Sequence, residues 1–450
     1  MTNPAAAVDV GRTIDDGPWS GYQQWLVFLA ALTIIFDGID NQLLGITIPS
    51  IMADWQVPRS AFAPVVALGF AGMMIGGAVA GLAGDRFGRR LALLASMALF
   101  GAATLAVAAA DTVPMLAFLR FVAGIGLGGA MPNAAALAAE YVPVRSRALA
   151  VTLTIVCVPL GGTLAGLIAI PALPALGWRA LFVMGGVVPL VAALLLIRVL
   201  PESPRYLSAH PDRWPELRKL LGRMGHPVAA DAPFLDRTEK PLTRAPLATI
   251  FEPAFRRDTF ALWAAFFSCL LAVYLGFSWL PSILNGAGLG PAVASTGITV
   301  FNLGGVVGAI TGGIVIGRYG SRLTMLALTT AAIAGAVTLS LMSIDADSSV
   351  LAVIVMLAIT GGMINAVQTT MYALAANVYP MASRATGVGT AVSVGRAGAI
   401  LSGYAGPWAL ELDGSTSFFG LMAAALCVTF IALAAVQRHV RGSSQPTAQS

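Results

Sequence analysis

Apolar runs of roughly 20 residues recur along almost the whole chain, and nothing else in the sequence limits its fold so tightly. A run of that length matches the thickness of a bilayer's hydrocarbon core when helical, and a helix pairs all its backbone groups internally where no water can do so. Approximate limits are 23–50, 61–83, 91–110, 115–139, 148–170 and 178–200, then 258–284, 293–317, 322–343, 349–378, 385–409 and 417–437. The pattern predicts an all-α membrane protein of twelve transmembrane helices. Composition agrees: 57% of the 450 residues are hydrophobic and only 10% charged, which excludes an ordinary soluble domain. The 49 glycines fit close helix–helix contact in lipid. Cys157, Cys269 and Cys427 stand alone in apolar segments, without metal-like or paired spacing, and read as packing residues.

Charge placement divides the chain. Residues 1–22 form a polar N-terminal tail, with no cleavage signal after the first apolar run. Two six-helix bundles, 23–200 and 258–437, flank a charged central loop at 201–257, and 438–450 form a polar tail expected to be disordered from Gly442 onward. If the N-terminus is cytoplasmic, only Arg59 and Arg179 fall in outside loops and Arg120 and Arg396 inside the membrane, while every other Lys and Arg lies at the inner side. That asymmetry predicts a multi-pass inner-membrane protein with both termini in the cytoplasm. The net charge of +5 reflects this bias and implies no nucleic-acid partner. No nucleophile–base pair, metal cluster or phosphate loop is present, so neither an enzyme nor a cofactor is expected.

The halves repeat. Gly81-Leu-Ala-Gly-Asp-Arg-Phe-Gly-Arg-Arg90 follows the second span, and Gly313-Ile-Val-Ile-Gly-Arg-Tyr-Gly-Ser-Arg322 follows the eighth. Glu140-Tyr-Val-Pro-Val-Arg-Ser-Arg-Ala148 after the fourth span aligns with Asn377-Val-Tyr-Pro-Met-Ala-Ser-Arg-Ala385 after the tenth. An even helix number per half puts both copies on one side, so the bundles are pseudo-symmetric parallel repeats, the architecture that rocks around a central site.

Two carboxylates, Asp37 and Asp40, lie inside the first span. An acid at the centre of an inserting helix costs roughly 2.5–3.5 kcal/mol, so a pair calls for a compensating role. Three residues is about one turn, which brings both near one face, where mutual repulsion and poor solvation favour one of them holding a proton. The rival reading makes them interfacial. Elimination also points to them as proton carriers: His210, His226 and His439 all fall outside the spans, whereas Asp85 and Glu140 sit at inner ends and Asp111 at an outer end. Arg396, about eleven residues into the eleventh span, is the deepest cation and can pair with a carboxylate in a two-toothed manner. It can equally serve to neutralise the aspartates. Arg120 in the fourth span fits a structural, relay or substrate role.

The loop at 81–90 resembles the signature of the major facilitator superfamily, and twelve spans with a long central loop fit that family over essentially the whole chain. Asp37-Gly-Ile-Asp40 resembles the aromatic acid:proton symporters, whose usual form is Asp-Gly-Phe-Asp. The stretch from Arg120 through Pro132-Asn133 to Glu140-Tyr141, the residues from Tyr372 to Gly387, Trp279-Leu-Pro281 and Gly395-Arg-Ala-Gly398 are similar as well. Ile39 departs from the common aromatic, and Gly317 from the Asp of some second loops. The resemblance implies a major facilitator fold and a proton-coupled importer of small aromatic carboxylates of the hydroxybenzoate kind; a monomer is expected.

Charge counting supports symport. With Asp37, Asp40, Arg120 and Arg396 all ionised the buried set is neutral, so an incoming carboxylate is balanced by one proton. Asn365, Gln368 and Tyr372 share a face of the tenth span and can bind a ring hydroxyl or carboxylate, or else hold helices together. Asn133 and Trp279 are further substrate candidates, with packing as the alternative. Gly81, Asp85, Arg86, Gly88, Arg89 and Arg90, with Glu140, Arg147, Arg318 and Arg384 from the repeated loops, read as a cytoplasmic gate in which Asp85 can meet Arg147. The glycines at 72, 76, 124, 126, 128, 129, 304, 308 and 312 read as packing seams. A symporter for a sugar or a non-aromatic acid, and a receptor that binds an aromatic acid without moving it, remain alternatives.

Overall fold

Prolines and small polar caps set where the long helices begin. In the computed structural model, which describes residues 7–229, 232–236, 247–342 and 344–440, strand β1 (Val8–Asp9) and helix α1 (Val10–Asp15) precede α2 (Gly21–Trp55). A reciprocal capping box opens α2: Gln23 N–H donates to Ser20 Oγ at 3.3 Å, and Ser20 N–H to the Gln23 side chain at 2.7 Å. Next come α3 (Ala63–Phe87), α4 (Arg89–Val107), α5 (Val113–Tyr141) and α6 (Val144–Val199). Pro stands in the first turn of α3 and α5, where its missing N–H costs nothing. α6 is two membrane lengths joined at Gly177, whose φ of 76° breaks the helix. After α7 (Pro204–Ser208), α8 (Trp214–Met224) and β2 (Phe234–Leu235), the second half consists of α9 (Arg256–Gly286), α10 (Gly290–Tyr319), α11 (Ser321–Leu341), α12 (Val350–Val378) and α13 (Met381–Ala435). α13 also holds two lengths, interrupted at Asp413 and Gly414. Among the described residues ten long helices, two of them broken, supply the twelve spans of an all-α fold with two six-helix bundles.

Within each bundle the helices approach through glycine. A Cβ built on Gly76 of α3 would lie 1.9 Å from the Ile125 carbonyl oxygen of α5, and one on Gly308 of α10 would lie 2.1 Å from the Gly362 carbonyl of α12. The two halves thus use the same seam at matching places. Gly88 and Gly320, at corresponding points of the repeated loop, both adopt positive φ, 103° and 85°. That turn returns the chain directly into α4 and α11, and it favours glycine because other residues are strained there.

The halves meet away from the Arg-rich loops. A Cβ on Gly45 of α2 would lie 2.3 Å from the Phe277 carbonyl of α9, and one on Gly403 of α13 would lie 3.0 Å from the Ala63 carbonyl of α3. Arg59 donates to the Ser282 carbonyl at 3.2 Å. These contacts cluster at the end opposite residues 85–90, where Arg89 instead pairs inside its own half with Asp85 and with Glu140 at 3.6 Å.

Two segments read as a tail and a loop carry local structure. β1 pairs in parallel with β2 of the central segment. Val10 and Ile14 of α1 are buried, and Asp15 bridges Arg147 at the start of α6 and Arg205 of α7. The residues 8–15, read as part of a tail, therefore form a strap, and the loop at 201–257 contains an amphipathic helix whose Leu217, Leu220, Leu221 and Met224 are buried. The expected disorder from Gly442 onward lies outside the described residues.

Candidate functional site

Asp37 and Asp40 share one helix and part company within a single turn. Between them Gly38 presses on α6, where a Cβ would lie 2.2 Å from the Val158 carbonyl. This contact fixes the rotation of α2. Asp37 then faces a cavity between the halves, while Asp40 turns into the N-terminal bundle.

The cavity is lined by Asp37 and Asn41 from α2, Met131 from α5, Val158 and Pro159 from α6, Tyr274 and Phe277 from α9, Asn365, Gln368, Thr369 and Tyr372 from α12, and Arg396 from α13. Asp37 is only 4% exposed, and its Oδ1 has no hydrogen-bond partner among the described residues. Across the cavity Arg396 supplies the opposite charge. The walls are aromatic: Tyr274 lies 4.4 Å from the Phe70 ring and 5.7 Å from that of Phe277, and Tyr372 meets Phe266 edge-on at 5.4 Å. Asn41 sits beside the Tyr274 hydroxyl. An unpartnered carboxylate, a guanidinium and amides inside aromatic walls form a chamber suited to a small ring bearing a carboxylate.

Asp40 is fully buried in a second, closed arrangement. Its Oδ2 accepts from Arg120 Nη1 at 3.0 Å, and its Oδ1 accepts from the Thr104 hydroxyl of α4. Both charges are shielded, with side-chain exposures of 5% for Arg120 and 0% for Asp40. Arg120 also borders a smaller chamber that shares Asn41, Met73 and Leu127 with the main cavity. The two aspartates therefore do not share one hollow, and Arg120 faces that side chamber rather than the main one.

Other sequence candidates fall elsewhere. Asn133 is fully buried outside the cavity, and its amide donates to the carbonyls of Ala80 at 3.0 Å and Gly129 at 2.9 Å, clasping α5 to α3. Trp279 is likewise buried and donates from its indole N–H to the Ser402 carbonyl at 3.0 Å, joining α9 to α13. Both polar groups act as helix glue. Ile39 lines an apolar lateral groove with Phe36, Leu43 and Pro189. Its departure from the common aromatic thus changes a surface turned away from the cavity.

At the Arg-rich end, Arg147 binds Asp15 and the Ala139 carbonyl, while Asp85 pairs with Arg89, so the expected contact between Asp85 and Arg147 is replaced in this state. Gly81 lies in open space and its carbonyl receives Arg89 at 3.5 Å. Arg86 stacks over Phe87, Arg318 over Tyr319, and Arg384 is exposed. Arg90 N–H donates to Glu202 at 2.9 Å, and a Cβ on Gly88 would strike the same carboxylate. Glu202 thereby caps the N-terminus of α4, where a negative charge is favoured. Ser203 donates to Glu140, and the Tyr141 hydroxyl donates to the Pro201 carbonyl, so the chain leaving α6 stitches three helix ends together.

Sequence reading missed Asn41, Tyr274, Phe277 and Thr369. Asn41 carried a signal, since it stands four residues after Asp37 and so shares its face. Tyr274 and Phe277 lay unremarked among other apolar residues of their span.

A family model described as Major Facilitator Superfamily matches residues 30–403 and 288–449. The chain is 36% identical over 408 residues to a gallate transporter of Pseudomonas putida, covering 90% of each. It is 36% identical over 410 residues to the 4-hydroxybenzoate transporter PcaK of the same organism, again covering 90% of each. Among solved structures it is similar to the inward open conformation of the xylose transporter XylE from E. coli, with a TM-score of 0.74 at 16% identity, covering 94% of this chain and 98% of that one.

Proposed function

The chain belongs to the Major Facilitator Superfamily, and from that premise we propose that it imports small aromatic carboxylates of the hydroxybenzoate kind across the inner membrane together with protons. The observation that carries this reading is the pairing of Asp37 with Arg396 across one aromatic-walled cavity between the halves. The gallate and 4-hydroxybenzoate transporters among its relatives support the substrate class.

Arg396 receives the substrate carboxylate, and Tyr274, Phe277 and Tyr372 hold the ring. Asn365, Gln368 and Thr369 read the ring substituents by hydrogen bonding. Once the carboxylate neutralises Arg396, an ionised Asp37 is left as unbalanced charge in a poorly solvated place. Taking up one proton removes that imbalance, so cargo and proton favour each other by roughly 1–3 kcal/mol, the ordinary size of coupling between two ligands. Asp40 has a structural role in this scheme. Its pairing with Arg120 and Thr104 keeps α2 seated on α4 and α5 as the halves rock.

The positive-inside rule assigns the Arg-rich end, with both termini, to the cytoplasm. The contacts of Arg59, Gly45 and Gly403 then close the outer side, and access is from within. Residues 85–90 and 140–147 are the gate. They exchange partners when the inner side shuts. The protein acts as a monomer and carries out transport without chemistry.

Counterflow tests the reading. Proteoliposomes loaded with unlabelled 4-hydroxybenzoate are expected to take up the labelled acid transiently, with gallate and benzoate competing and xylose not. Binding without exchange would make the protein a receptor, and competition by xylose alone would make it a sugar carrier.

A further inference from the structure

Beside the ends of α4 and α6 lies a basic pocket, set apart from the transport cavity, of whose cations only Arg90 also belongs to the gate loop. Arg90, Arg198, Lys219 and Arg223 converge on it with Tyr22 and a single acid, Glu216. Glu216 is already engaged by Arg213 at 2.7 and 3.1 Å. Lys219 and Arg223 stand four residues apart on α8, on the edge left free when the leucine face of that helix is buried. Arg90 gives one guanidinium nitrogen to the Ile197 carbonyl, but its Nε is buried with no partner among the described residues. Among those residues Arg198, Lys219 and Arg223 make no ion pair.

A second observation identifies what fits. Directly beside this pocket the membrane-spanning surface is apolar and open: Leu91 of α4 is 57% exposed, and Leu194 and Leu195 of α6 are 62% and 60% exposed. These side chains face hydrocarbon in a membrane. A ligand matching both parts carries an anionic headgroup at the helix ends and acyl chains along α4 and α6. We propose that this pocket binds the phosphate headgroup of an anionic phospholipid. The four cations supply charge and donors for the phosphate, and α8 with its buried leucine face forms the wall on the side away from the membrane. Because Arg90 and the chain at Pro201 belong both to this pocket and to the capped start of α4, an occupied pocket braces the gate loop at 85–90 where it enters α4. The inference stands apart from the identity of the transported solute.

Lipid titration of the full-length protein in detergent, followed by native mass spectrometry and thermal unfolding, tests it. Phosphatidylglycerol is expected to bind at least tenfold more tightly than phosphatidylcholine with the same acyl chains, and to raise the melting temperature where inorganic phosphate at equal concentration does not. Each cation removed should weaken phosphatidylglycerol by about fivefold, first in Arg198→Gln and further in Lys219→Gln with Arg223→Gln, all three being exposed positions. The charge-conserving pair Lys219→Arg and Arg223→Lys should keep the preference. Equal binding of the two lipids, or a preference unchanged in the Gln variants, overturns the proposal. Equal stabilisation by inorganic phosphate overturns it as well, making the pocket a soluble-anion site.

Discussion

Asp37 and Asp40 are one turn apart on the same helix, each matched to an arginine, yet the two pairs are built for opposite ends. Asp37 and Arg396 come from different halves and face each other across a cavity, with a carboxylate oxygen left unpartnered. Asp40 and Arg120 come from one half, touch at 3.0 Å, and are completed by Thr104. Charges that must accept a ligand cannot be saturated beforehand, whereas a buried pair that holds helices in place must be. On the proposed mechanism, the contrast separates a working charge from a structural one in a stretch where the residue types alone are identical.

The sharpest way to break that contrast is Asp37→Asn. Uphill accumulation of labelled 4-hydroxybenzoate in energised proteoliposomes is expected to vanish while counterflow survives, and accumulation at the unaltered level would remove Asp37 from proton coupling. Next comes Arg120→Leu, which leaves Asp40 buried and unpaired and should cost about 3–5 kcal/mol of stability. Adding Asp40→Leu is expected to restore much of the lost melting temperature, which an exposed or substrate-linked pair would not do. Arg396→Lys keeps the charge but loses the planar fork, so the half-saturating substrate concentration should rise by about thirtyfold, equivalent to ~2 kcal/mol of charge-assisted hydrogen bonding, with melting little changed. Smallest is Thr104→Val, expected to lower stability by about 1.5 kcal/mol through one lost bond to a carboxylate and to leave proton-coupled accumulation in place. A loss of coupling in that variant would move Asp40 back among the proton carriers.

Much of the architecture was readable because hydropathy reports burial in lipid directly. Span lengths follow from it, while the repeated loop motifs revealed the two halves and the glycine positions the seams at Gly76 and Gly308. The site was readable in part, and the reason is geometric. A helix flanked by both lipid and protein is apolar around its whole circumference, so no polar stripe tells which face a given residue presents. Asn133 and Asn365 look alike in sequence, each an amide in an apolar span. Rotation set by close backbone contacts sends Asn133 onto the Ala80 carbonyl of α3, and leaves Asn365, whose amide donates to Gly361 of its own helix at 2.8 Å, in the wall of the cavity. Trp279 was read as a candidate aromatic wall, but the carbonyl its indole needs is supplied by Ser402, on a helix more than 120 positions away. The fold of residues 8–15 was illegible for another reason: a six-residue helix and a two-residue strand carry too little local signal without the arginines they meet.

That short strap has a practical consequence. Asp15 sits between Arg147 and Arg205, so trimming the chain back to Ser20 for expression would not remove a dangling leader. It would leave two guanidinium groups confronting each other at the foot of α6, with the edge of β2 uncovered, and the damage would register as lost stability at that end of the bundle rather than as a shorter protein.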